Sequence, residues 1–204
     1  AQASLMTELT KLYPAVVMGE EMSQQQQLQC WEEGAAGLSS IDPIDGTSNF
    51  YNGLPYFAIS VALMKNGKTL LGVIYNPATK ELFYAERGKG AFLNGIALPI
   101  RKSTASLQSA VANVDLKRLS RKLAAKVAAN PPYASQRNYG ACALEWCYTA
   151  AGYFDLYLHG GQKPWDYAAG SLILEEAGGH MCGFEHDDYW LETPWQRSVI
   201  AALD

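Results

Sequence analysis

The chain has 204 residues, 49% hydrophobic and 18% charged, with a formal net charge of −4. That length supports one large core or two lobes sharing an interface, and the apolar share argues against disorder. An acidic balance without a run of Lys or Arg gives no footprint for nucleic acid or a membrane surface. The longest apolar stretches, such as "FAISVALM", stop well short of the roughly 20 residues a membrane span needs. The opening "AQASLMTELTK" lacks the basic-then-apolar layout of a secretory signal. The sequence reads as a cytoplasmic protein with no nucleic-acid or membrane partner.

In chain order, Leu5, Met6, Leu9 and Leu12 fall at helical spacing and the run stops at Pro14, the pattern of an amphipathic helix. A short β-branched strand, "AVVM", delivers Gly19-Glu20-Glu21. Residues 23–40 hold five glutamines and several small residues without periodicity, and read as a mobile loop. From Tyr56 the pattern alternates, and Asn66-Gly67 between two such runs signals a hairpin. Two more short strands follow, with turns at residues 88–90 and 94–95, so the centre reads as an antiparallel sheet. "LKRLSRKLAAKVAAN" is a helix ending at Pro131-Pro132, and "ACALEWCYTAAG" a second helix closed by Gly152. "YFDLYLHG" is a strand, "WDYAAGSLILEEAGG" a third helix and "SVIAAL" a last strand. This interleaving favours a layered mixed α/β or α+β fold over a parallel doubly wound one.

The chemistry concentrates in "IDPIDGTSNF", residues 41–50. Pro43 fixes its own φ and biases Asp42 toward an extended backbone, so Asp42 and Asp45 are held close with the Ile44 carbonyl between them. Like charges this near raise each other's pKa, and a hard cation relieves them. Gly46 allows close approach to the backbone, and the amides of Thr47, Ser48 and Asn49 suit a helix N-terminus that receives an anion. The same residues read equally well as turn and cap residues. Glu20 at a strand end and Asp166 at a helix start behind Trp165 add carboxylates, though each alone is an ordinary loop or cap residue.

Cys30, Cys142, Cys147 and Cys182 contain no C-x-x-C pair and read as reduced, mostly packed thiols. His159, His180 and His186 lack H-x-x-x-H spacing, so any metal is expected to be held by oxygen. "DPIDGT" is not the D-x-D-G-T of haloacid dehalogenase phosphatases, because Pro43 stands where their nucleophile would be.

Three separated motifs in order, Gly19-Glu20-Glu21, Asp42-Pro43-Ile44-Asp45-Gly46-Thr47 with Asn49-Phe50, and Trp165-Asp166-Tyr167-Ala168-Ala169-Gly170 with Glu-Ala-Gly-Gly at 176–179, resemble the inositol monophosphatase family. Support comes from "LPYFAISVAL", "ERGKGAFLNG" and "RNYGACALE", so the resemblance runs from about Ala3 to the C-terminus. It implies a single domain over residues 1–204 with sub-lobes of roughly 1–110 and 111–204, and an α-β-α-β-α sandwich with a largely antiparallel central sheet. It also implies a homodimer and a lithium-sensitive, Mg²⁺-dependent phosphomonoesterase that hydrolyses by direct attack of water. Two or three Mg²⁺ ions are implied. By the resemblance Glu20, Asp42 and the Ile44 carbonyl hold the first ion, and Asp42, Asp45 and Asp166 hold the second. Gly46 and Thr47 match the phosphate-binding positions, and Glu20 and Thr47 the pair that orients the water, with Asp45 among the catalytic groups.

The substrate pocket implied by the resemblance is lined by Asp45, Gly140, Ala141, Cys142, His159 and Asp166. His159 stands where inositol-hydrolysing relatives often carry a glutamate, and otherwise reads as a strand-end histidine facing water. "DGTSNF" resembles the inositol-type members more than the nucleotide-type ones, which puts inositol 1-phosphate or a related sugar phosphate first. Fructose 1,6-bisphosphate, a 3′,5′-nucleotide bisphosphate and histidinol phosphate are the alternatives, with a catalytically weak regulatory homologue as the reading from another class. The family's first helix and hairpin loop, which help close the site and assist a third, weaker ion, have no counterpart in these residues.

Overall fold

In the computed structural model residues 1–102, 106–190 and 195–203 are described. They begin with α1 (Gln2–Leu12), β1 (Val16–Gly19) and α2 (Gln24–Glu33). Then come β2 (Leu38–Asp45), the short α3 (Thr47–Tyr51), and a meander of β3 (Ala58–Lys65), β4 (Lys68–Asn76), β5 (Glu81–Glu86), β6 (Ala91–Leu93) and β7 (Ile96–Ala97). The remainder is β8 (Val111–Val114), α4 (Arg121–Ala129), β9 (Ser135–Arg137), α5 (Cys142–Ala150), β10 (Leu156–Gln162), α6 (Pro164–Glu176), β11 (His180–Cys182) and β12 (Arg197–Ala202).

Two sheets result, one ordered β1 through β7 in sequence and the other ordered β11-β12-β10-β8-β9. The first is antiparallel from β2 onward, as the alternation predicts, with β1 joining β2 in parallel. In the second, β8 pairs in parallel with β9 and β10, and β12 is antiparallel to both β10 and β11. Helices α5 and α6 lie between the sheets, α6 against β2 to β6 and α5 against β10 and β12. Helices α1 and α2 pack on β1 and β2, while Leu123, Ala124 and Val127 of α4 cover the second sheet at Ala112 and Val114. This is the layered mixed α/β arrangement expected from the sequence.

The inner helices look the way buried helices must. "WDYAAGSLILEE" is apolar on nearly every side, and all but three residues of α6 are buried. Gly170 lets α5 approach: a Cβ there would stand 2.3 Å from the Trp146 Cβ. The C-terminal end of α6 is anchored to the β5–β6 turn. Arg87 forms a bidentate pair with Glu175 at 3.2 and 3.1 Å, and Glu176 accepts the Gly88 and Gly90 amides at 2.7 and 2.8 Å. The other end of the same helix carries Asp166 into the site.

Residues 23–40 are not the mobile loop expected. Ser23 and Gln26 form a reciprocal capping box that starts α2, and β2 begins at Leu38. The inward face of α2 is built from Gln27, Cys30 and Trp31, a set too polar to register as an apolar stripe. Gln27 is buried because its amide donates to the Glu20 carbonyl at 2.8 Å, so α2 fixes the backbone of a candidate ligand. Strands β8, β9 and β11, of three or four residues each, also escape the sequence reading.

Candidate metal centre

Glu20, Asp42, Ile44, Asp45, Gly46, Thr47 and Asp166 all line one cleft of about 560 Å³, opposite Gly140, Cys142 and His159. Glu20 arrives just past the end of β1, Asp42 and Asp45 from the end of β2, and Asp166 from the first turn of α6. Asp42 and Asp45 flank a register shift in the β2–β3 pairing.

Each aspartate has one oxygen fixed by a backbone amide. Asp42 Oδ1 accepts the Ile44 N–H at 2.9 Å, Asp45 Oδ2 the Ala143 N–H at 2.7 Å, and Asp166 Oδ2 the Lys163 N–H at 2.8 Å. The carboxylates are thereby aimed, and the second oxygen of each has no hydrogen bond among the described residues. Without a counter-charge their ionisation is costly. Burial, then the charges of Asp45, Glu20 and Asp166, push Asp42 up to about 10. Burial and the Asp166 charge lift Asp45 well above the ordinary carboxylate range, and burial raises Asp166 to about 6.

A donor set of four carboxylates and the Ile44 carbonyl suits a hard divalent cation such as Mg²⁺, which supplies the positive charge these groups lack. Sulfur also reaches the site. Cys142 Sγ and carboxylate oxygens of Asp45 and Asp166 all lie within 4.8 Å of one another, so a thiol adjoins the oxygen donors. C-x-x-C and H-x-x-x-H spacing cannot reveal this, because the sulfur meets the aspartates through tertiary packing. Burial raises the thiol well above its usual value, with the Asp166 and Asp45 charges adding to it. Of the four free thiols, Cys147 is buried outright and the other three are partly exposed.

Beside the carboxylates, Gly46 takes φ +84°, and a Cβ there would lie 3.0 Å from the Ala141 Cβ and 3.1 Å from the Tyr56 carbonyl. Glycine is therefore required at the entry to α3. Thr47 Oγ1 donates to the Ile44 carbonyl at 3.0 Å. Asn49 Nδ2 donates to the Tyr56 and Tyr139 carbonyls at 2.7 and 2.6 Å, tying α3 to the segment before α5.

Two expectations on the far wall change. Ala141 is fully buried, packed beneath Gly46, and does not line the cleft. His159 does not face water: it is 2% exposed, with Nε2 3.7 Å from Cys142 Sγ and 3.7 Å from Asp115 Oδ2. Burial lowers it to about 4, with the Asp115 charge opposing. Glu145 ends the "RNYGACALE" stretch without a role of its own in the sequence reading; it is buried at the cleft and accepts the Tyr139 and Gly140 amides at 3.3 and 3.0 Å. The sequence reading missed Lys117, Arg118 and Lys163, cations on the cleft wall with no motif to single them out.

No helix among the described residues is long and apolar enough to cross a membrane. The chain resembles "Nus factor SuhB" of Haemophilus influenzae at 39% identity over 167 residues, covering 79% of this chain and 61% of that protein. The corresponding share is 59% for the Pasteurella multocida "Nus factor SuhB", so the chain spans about three fifths of the length of these relatives. An "Inositol-1-monophosphatase" of Rhizobium meliloti is 42% identical over 180 residues, covering 78% of this chain and 67% of that protein. Among solved structures, inositol monophosphatase II of Staphylococcus aureus superposes with a TM-score of 0.84 at 25% identity, covering 98% of this chain and 74% of that one. A Thermotoga maritima IMPase gives 0.82 at 33% identity, covering 99% and 75%. The model of the inositol monophosphatase family matches residues 1–203, and the chain belongs to that family.

Proposed function

We propose that this protein hydrolyses a phosphate monoester with Mg²⁺ bound among Glu20, Asp42, the Ile44 carbonyl, Asp45 and Asp166, with Asp42 shared between two ions. The observation that carries the reading is the amide-pinned trio of Asp42, Asp45 and Asp166, two buried acids and one half-buried acid aimed into one cleft at high electrostatic cost. Mg²⁺ bound there would offset the acids' charge, activate water and stabilise charge on the transferring phosphoryl group.

The protein's own residues hold and orient the reactants. The Thr47 hydroxyl commits its hydrogen to the Ile44 carbonyl, which leaves its oxygen free to accept from an attacking water that Glu20 would also orient. The Gly46–Thr47 backbone receives the phosphate, and Lys117, Arg118 and Lys163 on the wall attract the anionic ester. The uncharged imidazole of His159 lines the cleft with a hydrogen-bonding capacity unlike that of a carboxylate, and its nitrogens face Gly161, Cys142 and Asp115. Inositol 1-phosphate or a related sugar phosphate is the first substrate class. Fructose 1,6-bisphosphate, a 3′,5′-nucleotide bisphosphate and histidinol phosphate are the others to test.

The relatives named Nus factor motivate a second reading, a regulatory protein that keeps the fold. Retention of all five oxygen donors favours the hydrolase. Phosphate release from the four compounds, with and without Mg²⁺, separates the two. Mg²⁺-dependent turnover of one of them supports the hydrolase and names its class, whereas no turnover of any by the full-length protein favours the regulatory role.

A further inference from the structure

Cys142 is a cleft residue to which the hydrolase reading gives no chemistry. It opens α5, and its Sγ completes a triangle with carboxylate oxygens of Asp45 and Asp166, all within 4.8 Å of one another. Zinc–sulfur and zinc–oxygen bonds of about 2.3 and 2.1 Å at tetrahedral angles set ligand atoms roughly 3.4–3.6 Å apart, so side-chain shifts of up to about 1 Å bring all three atoms onto one ion. His159 shapes the sulfur's surroundings. The Gly161 N–H donates to His159 Nδ1 at 3.1 Å, which makes Nδ1 the acceptor and places the neutral ring's proton on Nε2. That N–H then faces Cys142 Sγ and Asp115 Oδ2, each 3.7 Å away. The imidazole is thus a donor toward sulfur rather than a ligand, and with the N-terminus of α5 it offsets part of the burial and carboxylate charge that disfavour a thiolate there.

We propose that Cys142 is a metal ligand in this chain: with Asp45 and Asp166 it forms a mixed sulfur–oxygen position that prefers thiophilic divalent cations such as Zn²⁺ and Co²⁺ over Mg²⁺. On binding, the S–H bond breaks, its electron pair goes to the metal–sulfur bond and the proton leaves to solvent. Mg²⁺ gains little from a thiolate, so the sulfur sets the preference by softness. The proposal rests on Asp45 and Asp166 being metal ligands.

The test is titration of the metal-free, full-length protein with Co²⁺ under reducing conditions, followed by absorption. The expected result is visible d–d bands with a near-ultraviolet sulfur-to-cobalt charge-transfer band, the latter lost in both Cys142→Ala and Cys142→Ser. Zn²⁺ affinity, measured against a chromophoric chelator, should fall at least about 10-fold in either variant. Mg²⁺ affinity by calorimetry should fall less. Visible bands without the charge-transfer band, or a band that persists in Cys142→Ala, would overturn the sulfur ligand while leaving the carboxylate site standing. Binding of neither Co²⁺ nor Mg²⁺ would overturn both.

Discussion

Asp45 Oδ2 accepts the Ala143 amide at 2.7 Å, so the carboxylate that ends β2 is held by the first turn of α5, 98 positions later in the chain. The bond orients one oxygen and pays a small part of the cost of burying an acid lifted well above its ordinary range. Asp45→Asn keeps an acceptor for that amide and removes the charge. The variant should fold as the parent does, by circular dichroism, yet lose Mg²⁺ affinity by more than the roughly 10–100-fold typical of losing an outer-shell partner. Turnover at the parental rate would show that Asp45 is not a ligand.

The raised acids make the metal-free protein pH-sensitive. Asp42, at about 10 in the fold against 3.8 ordinarily, keeps its proton at a pH where the unfolded chain has lost it. The folded state therefore binds more protons, and its stability falls as pH rises, by up to about 1.4 kcal/mol per pH unit while one proton separates the states. Urea melts at pH 7 and pH 8 without metal should show the midpoint dropping. Saturating Mg²⁺ should flatten the trend. His159 acts in the opposite sense: lowered to about 4 from 6.5, it contributes stability above 6.5 that is lost as pH falls toward 4.

Gly46→Ala places a methyl 3.0 Å from the Ala141 Cβ on a backbone at φ +84°. A stability loss of about 1–3 kcal/mol and a larger proportional loss of turnover are expected, because the strained residue is the entry to Thr47. Gly53→Ala is the control. Its φ is +73°, but nothing lies within 4 Å of the added Cβ, so it should lose some stability and keep turnover.

Glu176→Ala deprives the Gly88 and Gly90 amides of their acceptor at the far end of α6 from Asp166. Thermal melts should show about 1–3 kcal/mol of destabilisation. Mg²⁺ affinity, read by calorimetry on the folded protein, should stay near that of the parent.

The segment holding Asp42 and Asp45 stood out because Pro43 and Gly46 punctuate it, but alone it read equally well as a turn and cap, and the ligand set with Glu20 and Asp166 came from the resemblance of three separated motifs. The meander of β3 to β5 was legible from alternation and Asn66-Gly67. Helix α2 was not, since its buried face includes Gln27, whose burial depends on the Glu20 carbonyl; only Ser23 and Gln26 carried a local signal. The resemblance put Cys142 and Asp45 in one pocket, but the close approach of the sulfur to the carboxylate and the inward turn of His159 were not legible, because both follow from how α5 packs against β10. Of the second sheet only β10 and β12 were legible: β8, β9 and β11 are too short to show a period, and their pairing partners decide them.

The central claim is that the aspartates assemble a Mg²⁺ site that hydrolyses a phosphate monoester. The most direct measurement is phosphate release from inositol 1-phosphate by the full-length protein as Mg²⁺ is titrated, with Asp42→Asn alongside. The account predicts no release without metal, saturable release as Mg²⁺ rises, and loss of that activity in the variant. Release independent of Mg²⁺, or undiminished in Asp42→Asn, would contradict it.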